Sequence, residues 1–459
     1  MKNLTLKNIA KACNGSYFGP EADFEKEITD ITTDSRKVQK GGLFAAIVGE
    51  RADGHTFIPS VFEKGALCVL CEKAPQNCSG AYILVESTQK ALMGIAEFYR
   101  QQLKVKVVGV TGSVGKTSTK EMIASVLSEK YRVLKTLGNF NNELGLPLTV
   151  FRLREEDEVA VLEMGINHFG EMHRLSKIAR PDICVITNIG TCHLEFLGDR
   201  DGVLKAKSEI FDFISSDGKI ILNGDDDKLA GLQEMKGITP SFFGMESRCE
   251  IWADAVESAG LKGVRCTIHD RTKSFRVLIP IPGEHMVQNA LAATAVGEAM
   301  GMTAEEISRG IEKLQALPGR FRVMEHRGVT VVDDCYNANP VSMKASLEAF
   351  AGAAQGRKIA VLGDMGELGP EEKKLHEDVG VFAGKTDISR YICVGRLCRN
   401  LAEALRKTNA QADVIAVDTT EEALAGLPQW IREGDAVLVK ASHFMHFEKI
   451  VDALTRNEE

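Results

Sequence analysis

The chain is expected to fold as α/β in three domains: a smaller N-terminal α/β domain, a central phosphate-loop (P-loop) parallel sheet with flanking helices, and a C-terminal Rossmann-like α/β domain. Three observations predict this. Short β-branched runs alternate with amphipathic helical stretches in two separate blocks, which implies parallel strands joined by crossover helices. A glycine loop lies between strand and helix in the first block. The 459 residues, at roughly 150 per domain, give about three units. With 44% apolar residues, 26% charged residues and 12 prolines, there is material for buried cores and none of the bias of a disordered or fibrous chain.

Residues 1–103 are turn-rich. They hold TDSRKVQKGG, GERADGH and a strand-then-turn string ALCVLCEK, and end in the helical QKALMGIAEFYRQQL, a bridge into the next unit. Residues 104–318 alternate strictly: VKVVGVTG, TSTKEMIASVLSEK, EVAVLEMG, DICVITNIG and GKIILNGDD, then helical HMVQNALAATAVGEAM and a Pro318-Gly319 linker. Residues 319–459 form the second block, with VTVVDD, RKIAVLGDMG, YICVGR, DVIAV and DAVLVKAS as strands. No repeat of fixed period and no low-complexity tract appears.

The 56 basic and 64 acidic residues leave a net charge of -8, which argues against a nucleic-acid partner, so an anionic ligand must be met locally. The start, MKNLTLKNIAKACNG, lacks the apolar core of a secretion signal, and no run approaches a membrane span. A cytoplasmic protein with no membrane insertion is expected. The 11 cysteines are an odd, scattered set that suits reduced, packed thiols; the closest cluster, Cys68, Cys71 and Cys78, reads as packing rather than zinc.

The sharpest local signal is VVGVTGSVGKTSTKEMI. Gly112 and Gly115 let backbone amides close around phosphate oxygens, the helix after them aims its positive end there, and Lys116 adds a charge. Ser113, Val114, Thr117 and Ser118 complete the loop, and the Thr117 hydroxyl can meet Mg2+. The pattern is more compact than G-x-x-x-x-G-K-[ST], because Val110 stands where its first glycine would fall. Ligands of open parallel sheets sit outside the carboxyl ends of the strands, where Glu163 and His193 should face the same crevice. A carboxylate and an imidazole there could share divalent metal.

TGSVGKTS, Glu163 in VLEMG, His193 in GTCHLEFLG and Lys207 in LKAKSEIF together resemble the Mur ligases, which form amide bonds in peptidoglycan precursors. GEHMVQNALAA, PGRFRV and DDCYNANPVSM extend the resemblance over nearly the whole chain. With TDSRKVQKGGLFAAIVGERADGHTFI and VLGDMGELG, it implies UDP-N-acetylmuramoyl-tripeptide and D-alanyl-D-alanine as substrates, with ATP and two Mg2+ ions as cofactors. The loop from Gly112 to Ser118 would hold phosphates. Thr117 and Glu163 would hold one magnesium and His193 the second, with Lys207 carbamylated by CO2 so that it helps position a metal. Lys116, Glu163, His193 and Lys207 would thus be the catalytic set.

The resemblance further implies that Asn289 meets adenine, and that Arg320 and Asp334 reach the nucleotide across the linker. Ser35, Arg36, Asp53, Gly54 and His55 would line the UDP pocket. Asn141 and Asn142 would face the tripeptide, and Tyr336, Asn337 and Asn339 the incoming amine. His443 stands where the family tends to place arginine, in Lys440-Ala441-Ser442-His443, which leaves the dipeptide carboxylate without its usual holder. A monomer is expected, closing about the linker. The rival readings are folylpolyglutamate synthase, whose phosphate loop lies near the N-terminus, a Mur ligase adding the third residue, and a nucleotide-switched protein without ligase chemistry. Whether the third peptide residue is lysine or diaminopimelate stays open.

Overall fold

The structure, a computed structural model, describes residues 1–49, 52–76 and 80–455. Among the described residues there are three sheets, one in each third of the chain. The first has, in spatial order, Ser16–Phe18, Ala81–Leu84, Cys68–Cys71, Leu43–Ala45 and Ile31–Thr32; only Ser16–Phe18 runs antiparallel to its neighbour. Cys68 and Cys71 are buried in its middle strand, and Cys78 lies outside the described residues. No group of three or more metal-capable His, Cys, Asp or Glu side chains occurs among the described residues.

The central sheet runs Val133–Lys135, Val159–Glu163, Lys106–Thr111, Ile183–Ile186, Lys219–Asn223, Ser241–Gly244 and Ile251–Ser258, all parallel. Val159–Glu163 and Ile183–Ile186 are buried at every position, as strands covered on both faces must be. Two further strands, Val264–His269 and Ser274–Ile279, add antiparallel, so the sheet is mixed rather than parallel throughout. The reason is visible in Val264–His269, where Val264, Cys266 and Ile268 are buried and the residues between them are not. One face of this meander is wet, which antiparallel strands tolerate.

In the C-terminal sheet, Val329–Asp333, Asp435–Lys440, Arg357–Gly363, Arg390–Val394 and Asp413–Val417 are parallel, and Arg322–His326 closes the edge antiparallel. The edge hairpin turns through Arg327 and Gly328, both at positive φ (48° and 72°), the backbone a two-residue turn demands. No helix among the described residues is long and apolar enough to cross a membrane.

Packing differs between the two junctions. The bridging helix Thr88–Gln101 buries Leu92, Ile95 and Tyr99 in one continuous core with Leu146, Phe151 and Leu175 of the central unit. Arg100 seals that junction, donating from Nε to the Ala179 carbonyl at 3.1 Å, from Nη1 to Leu103 at 3.2 Å and from Nη2 to Val105 at 2.9 Å. Toward the C-terminal side, the helices Lys116–Leu127, His285–Ala299 and Ala304–Glu312 pack on the central sheet. A Cβ at Gly310 would lie 2.4 Å from the Val126 Cα, so two helix backbones meet there directly. The linker Leu314–Gly319 then leads into the last unit.

Candidate active site

The strand Lys106–Thr111 ends in the loop, and the helix Lys116–Leu127 follows Gly115, which caps it in the left-handed region at φ 81°. A Cβ on Gly112 would fall 1.9 Å from Thr187 Oγ1, so no side chain fits there. The loop is braced from the next strand end: Val114 N–H donates to Asn188 Oδ1 at 2.9 Å, and Thr187 Oγ1 donates to the Val114 carbonyl at 2.7 Å. Gly190 N–H donates to Ser113 Oγ at 2.8 Å. Lys116 Nζ rests on the loop's own carbonyls, 2.9 Å from Gly112 and 3.3 Å from Ser113. Ser118 and Thr117 also line the adjoining cleft.

Glu163, at the end of its strand and 2% exposed, stands beside the first helical turn. Its Oε1 accepts from Thr117 Oγ1 at 3.2 Å and from Asn141 Nδ2 at 2.8 Å. Its Oε2 is buried with no hydrogen bond. Its Oε1, buried beside the Thr117 hydroxyl at the phosphate loop, gives an oxygen donor set that fits a divalent cation.

The cleft holds about 460 Å³ and is walled by both the central and the C-terminal units. From the far side, Arg320 stacks its guanidinium on Tyr336, 4.1 Å from the ring centroid, and points Nη2 at Thr117 Oγ1, 3.5 Å away. Asp334 also borders the cleft, but its carboxylate is already taken. Lys440 Nζ donates to Oδ2 at 2.7 Å, Ser346 Oγ to Oδ2 at 2.5 Å and Phe321 N–H to Oδ1 at 3.1 Å. Asp334 therefore ties the linker to its sheet. Asn289 is buried in the cleft wall, with Oδ1 accepting from Thr119 Oγ1 at 2.8 Å. Asn337 and Asn339 line the cleft as well, and Asn339 caps the helix Pro340–Ala353 by accepting from Ser342 N–H at 2.8 Å.

His193 and Lys207 sit beside this cleft rather than in its wall. Lys207 is 1% exposed, against the solvated helix lysine its local sequence suggests, while Lys205 is exposed. Burial, then the nearby Lys116 charge, pulls its amine down to about 7, and no acid pairs with it among the described residues. His193 has φ 55°. Burial first, then Lys207 and Lys116, hold its imidazole down at about 4, which leaves it neutral and able to ligate. Its Nδ1 lies 3.9 Å from Glu367 of the C-terminal unit.

The remaining candidates are not brought to the cleft. Asn142 turns inward, its Oδ1 accepting from Gly145 N–H at 2.8 Å. In the first unit, Arg36 forks onto Asp34 at 2.9 and 2.8 Å, and the Ser35 carbonyl accepts from Lys64 at 2.7 Å. Asp53 caps the short helix Gly54–Phe57 and meets His55 Nδ1 at 2.6 Å. His55 Nε2 accepts from Glu72 N–H at 2.9 Å, so Nδ1 carries the proton. Among groups that sequence reasoning missed, Lys120 is buried under Glu163 and Asn188 braces the loop. A lysine one helical turn past Lys116 gives no local sign of burial.

A family profile described as the Mur ligase middle domain matches residues 110–297, one for the Mur ligase glutamate ligase domain matches 319–443, and one for the Mur ligase family catalytic domain matches 27–105. The UDP-N-acetylmuramoyl-tripeptide--D-alanyl-D-alanine ligase of Bacillus subtilis is 38% identical over 454 residues, 98% of either chain. Among solved structures, MurF from Acinetobacter baumannii superposes with a TM-score of 0.88 at 35% identity, covering 98% of each chain. MurF ligase from Thermotoga maritima in complex with ADP gives 0.81 at 30% identity, covering 93% of this chain and 96% of that one. With a phosphate loop, an acidic strand end and a two-unit cleft behind this full-length likeness, the chain belongs to the Mur ligase family.

Proposed function

We propose that this chain is the ATP-dependent ligase that joins D-alanyl-D-alanine to UDP-N-acetylmuramoyl-tripeptide in peptidoglycan precursor synthesis. The observation that carries the reading is the cleft in which the phosphate loop, Glu163 and the linker residues Arg320 and Tyr336 converge, in a chain whose full-length relatives bear that enzyme's name. Those relatives disfavour the third-residue ligase and the nucleotide switch.

Amide synthesis from a carboxylate is uphill, so the tripeptide's terminal carboxylate first takes the γ-phosphoryl group of ATP. The amine of the dipeptide attacks the resulting acyl phosphate through a tetrahedral intermediate, and phosphate leaves. Two anions must approach each other, so positioning and charge neutralisation dominate. Lys116 leaves the carbonyls of Gly112 and Ser113 for phosphate oxygens. Arg320 brings a second cation from the linker. Thr117 and Glu163 would hold Mg2+, which offsets phosphate charge; neutral His193 would hold a second ion. Lys207, buried, without an acid partner among the described residues and with its amine pulled down to about 7 by burial, is readily uncharged near neutral pH, and the uncharged amine is the form that adds CO2. We assign residues 1–103 to the UDP substrate, 104–318 to ATP and 319–459 to the dipeptide, in a cytoplasmic monomer.

Phosphate release decides the matter. It is expected only when ATP, UDP-N-acetylmuramoyl-tripeptide and D-alanyl-D-alanine are all present, and running it with lysine and diaminopimelate tripeptides reads the third-residue preference. Release of equal size without the dipeptide would sink the ligase reading. For Lys207, 13C-bicarbonate should give a carbamate resonance that Lys207→Met lacks.

A further inference from the structure

Lys120 is a buried charge that the ligase reading leaves without a task. It is fully buried on the helix Lys116–Leu127, one turn beyond Lys116. Its Nζ donates to the Thr136 carbonyl at 2.8 Å, pairs with Glu121 Oε1 at 2.9 Å, and stands 3.9 Å from Glu163 Oε2. Glu121 is shared in turn with Lys135, 2.5 Å from its Oε2. The Thr136 hydroxyl accepts from Glu163 N–H at 3.0 Å, so Lys120, Thr136 and Glu163 form one buried unit.

The two oxygens of Glu163 therefore meet different surroundings. Oε1 lies with Thr117 Oγ1 and Asn141 Nδ2, both cleft-lining groups. Oε2 makes no hydrogen bond and is buried, with the Lys120 ammonium as its near charge. A divalent cation reaching for both oxygens would have to approach that ammonium, and like charges in a dry site repel strongly. Oε1 is left as the single available donor. Mg2+ keeps a small octahedral shell and takes single carboxylate oxygens, whereas Ca2+ commonly takes both.

We propose that Lys120 is a positioning residue that restricts Glu163 to one-oxygen coordination and thereby sets the preference of this site for small divalent cations. The inference rests on the assignment of Thr117 and Glu163 as metal ligands. It makes Lys120 a determinant of which cation accompanies the nucleotide, although it touches neither.

The test is metal binding to the full-length protein with ADP, using Mn2+ as the electron paramagnetic resonance probe and Mg2+ or Ca2+ as competitors. In Lys120→Met, which keeps length and removes charge, both dications gain attraction, but only Ca2+ commonly takes the freed second oxygen, so Ca2+ should gain on Mg2+ by roughly tenfold. Lys120→Arg should keep the wild-type ratio. Glu121→Gln, which frees Lys120 to turn toward Glu163, should weaken Mn2+ binding about threefold, and it carries the test alone if Lys120→Met does not fold. An unchanged competition ratio in folded Lys120→Met, an arginine variant that behaves like methionine, or unchanged or tighter Mn2+ binding in Glu121→Gln would each overturn the inference alone. Absence of Mn2+ binding to wild type with ADP would overturn the metal assignment and this inference with it.

Discussion

The central unit packs on both neighbours through apolar cores, but only one of the two junctions holds a cleft. Against the N-terminal unit it shares a continuous apolar core, threaded by the helix Thr88–Gln101 and sealed where Arg100 satisfies three backbone carbonyls. Against the C-terminal unit it leaves a cleft of about 460 Å³, crossed by Arg320 reaching Thr117 at 3.5 Å, with the 3.9 Å approach of His193 to Glu367 beside it. The first junction excludes water and fixes geometry. The second also carries apolar packing, with Met343, Leu347 and Phe350 in one core with the central helices, but the polar contacts that cross its cleft are long, the kind that a ligand can break and remake. Under the proposed ligase reading, the junction with the cleft is the one that would admit ATP and the amine.

Substitutions should separate the two seams. The largest effect is expected at the open one: Lys116→Ala removes the mobile cation of the loop and should lower phosphate release by about 10³-fold, with the melting temperature nearly unchanged. Next comes the closed seam. Arg100→Leu orphans buried carbonyls and should cost about 3 kcal/mol in urea unfolding, while kcat of the folded protein stays near wild type; a kcat loss would show that the closed seam also takes part in turnover. Arg320→Lys loses the planar stack on Tyr336 and should reduce kcat/KM about tenfold, read by the same phosphate assay. The smallest effect belongs to Glu367→Gln. Its partner is neutral above about pH 4, so ADP affinity should change less than about threefold, and X-ray scattering should still report compaction with nucleotide and UDP substrate.

Much of this was legible in the chain itself, and unevenly so. The parallel strands announced themselves because Val159–Glu163 and Ile183–Ile186 are buried on both faces, which favours near-continuous apolar runs. The meander 251–279 did not, since its residues face water on one side and its alternation is diluted by Asp254 and Glu257. Within the site, the loop is local and could be read from Gly112, Gly115 and Lys116 alone. Arg320 and Asp334 lie about 200 residues from that loop, and only the fold brings them to it; resemblance supplied them beforehand. Lys120 had no such help, because a lysine on an amphipathic helix reads as solvated until a carboxylate is seen beneath it. Asp334 shows the converse: a strand-end acid that looks free in sequence is occupied by Lys440, Ser346 and Phe321.

The glycine contact between the helices Ala304–Glu312 and Lys116–Leu127 bears on how the linker keeps its alignment with the phosphate loop. The linker that carries Arg320 starts just after a helix seated backbone to backbone on the phosphate-loop helix, with no side chain between Gly310 and Val126 to act as a spacer. The root of the linker is therefore mounted on the helix that follows the phosphate loop. A single methyl group at Gly310 would meet the Val126 backbone at 2.4 Å and push the two helices apart, carrying the linker away from the loop.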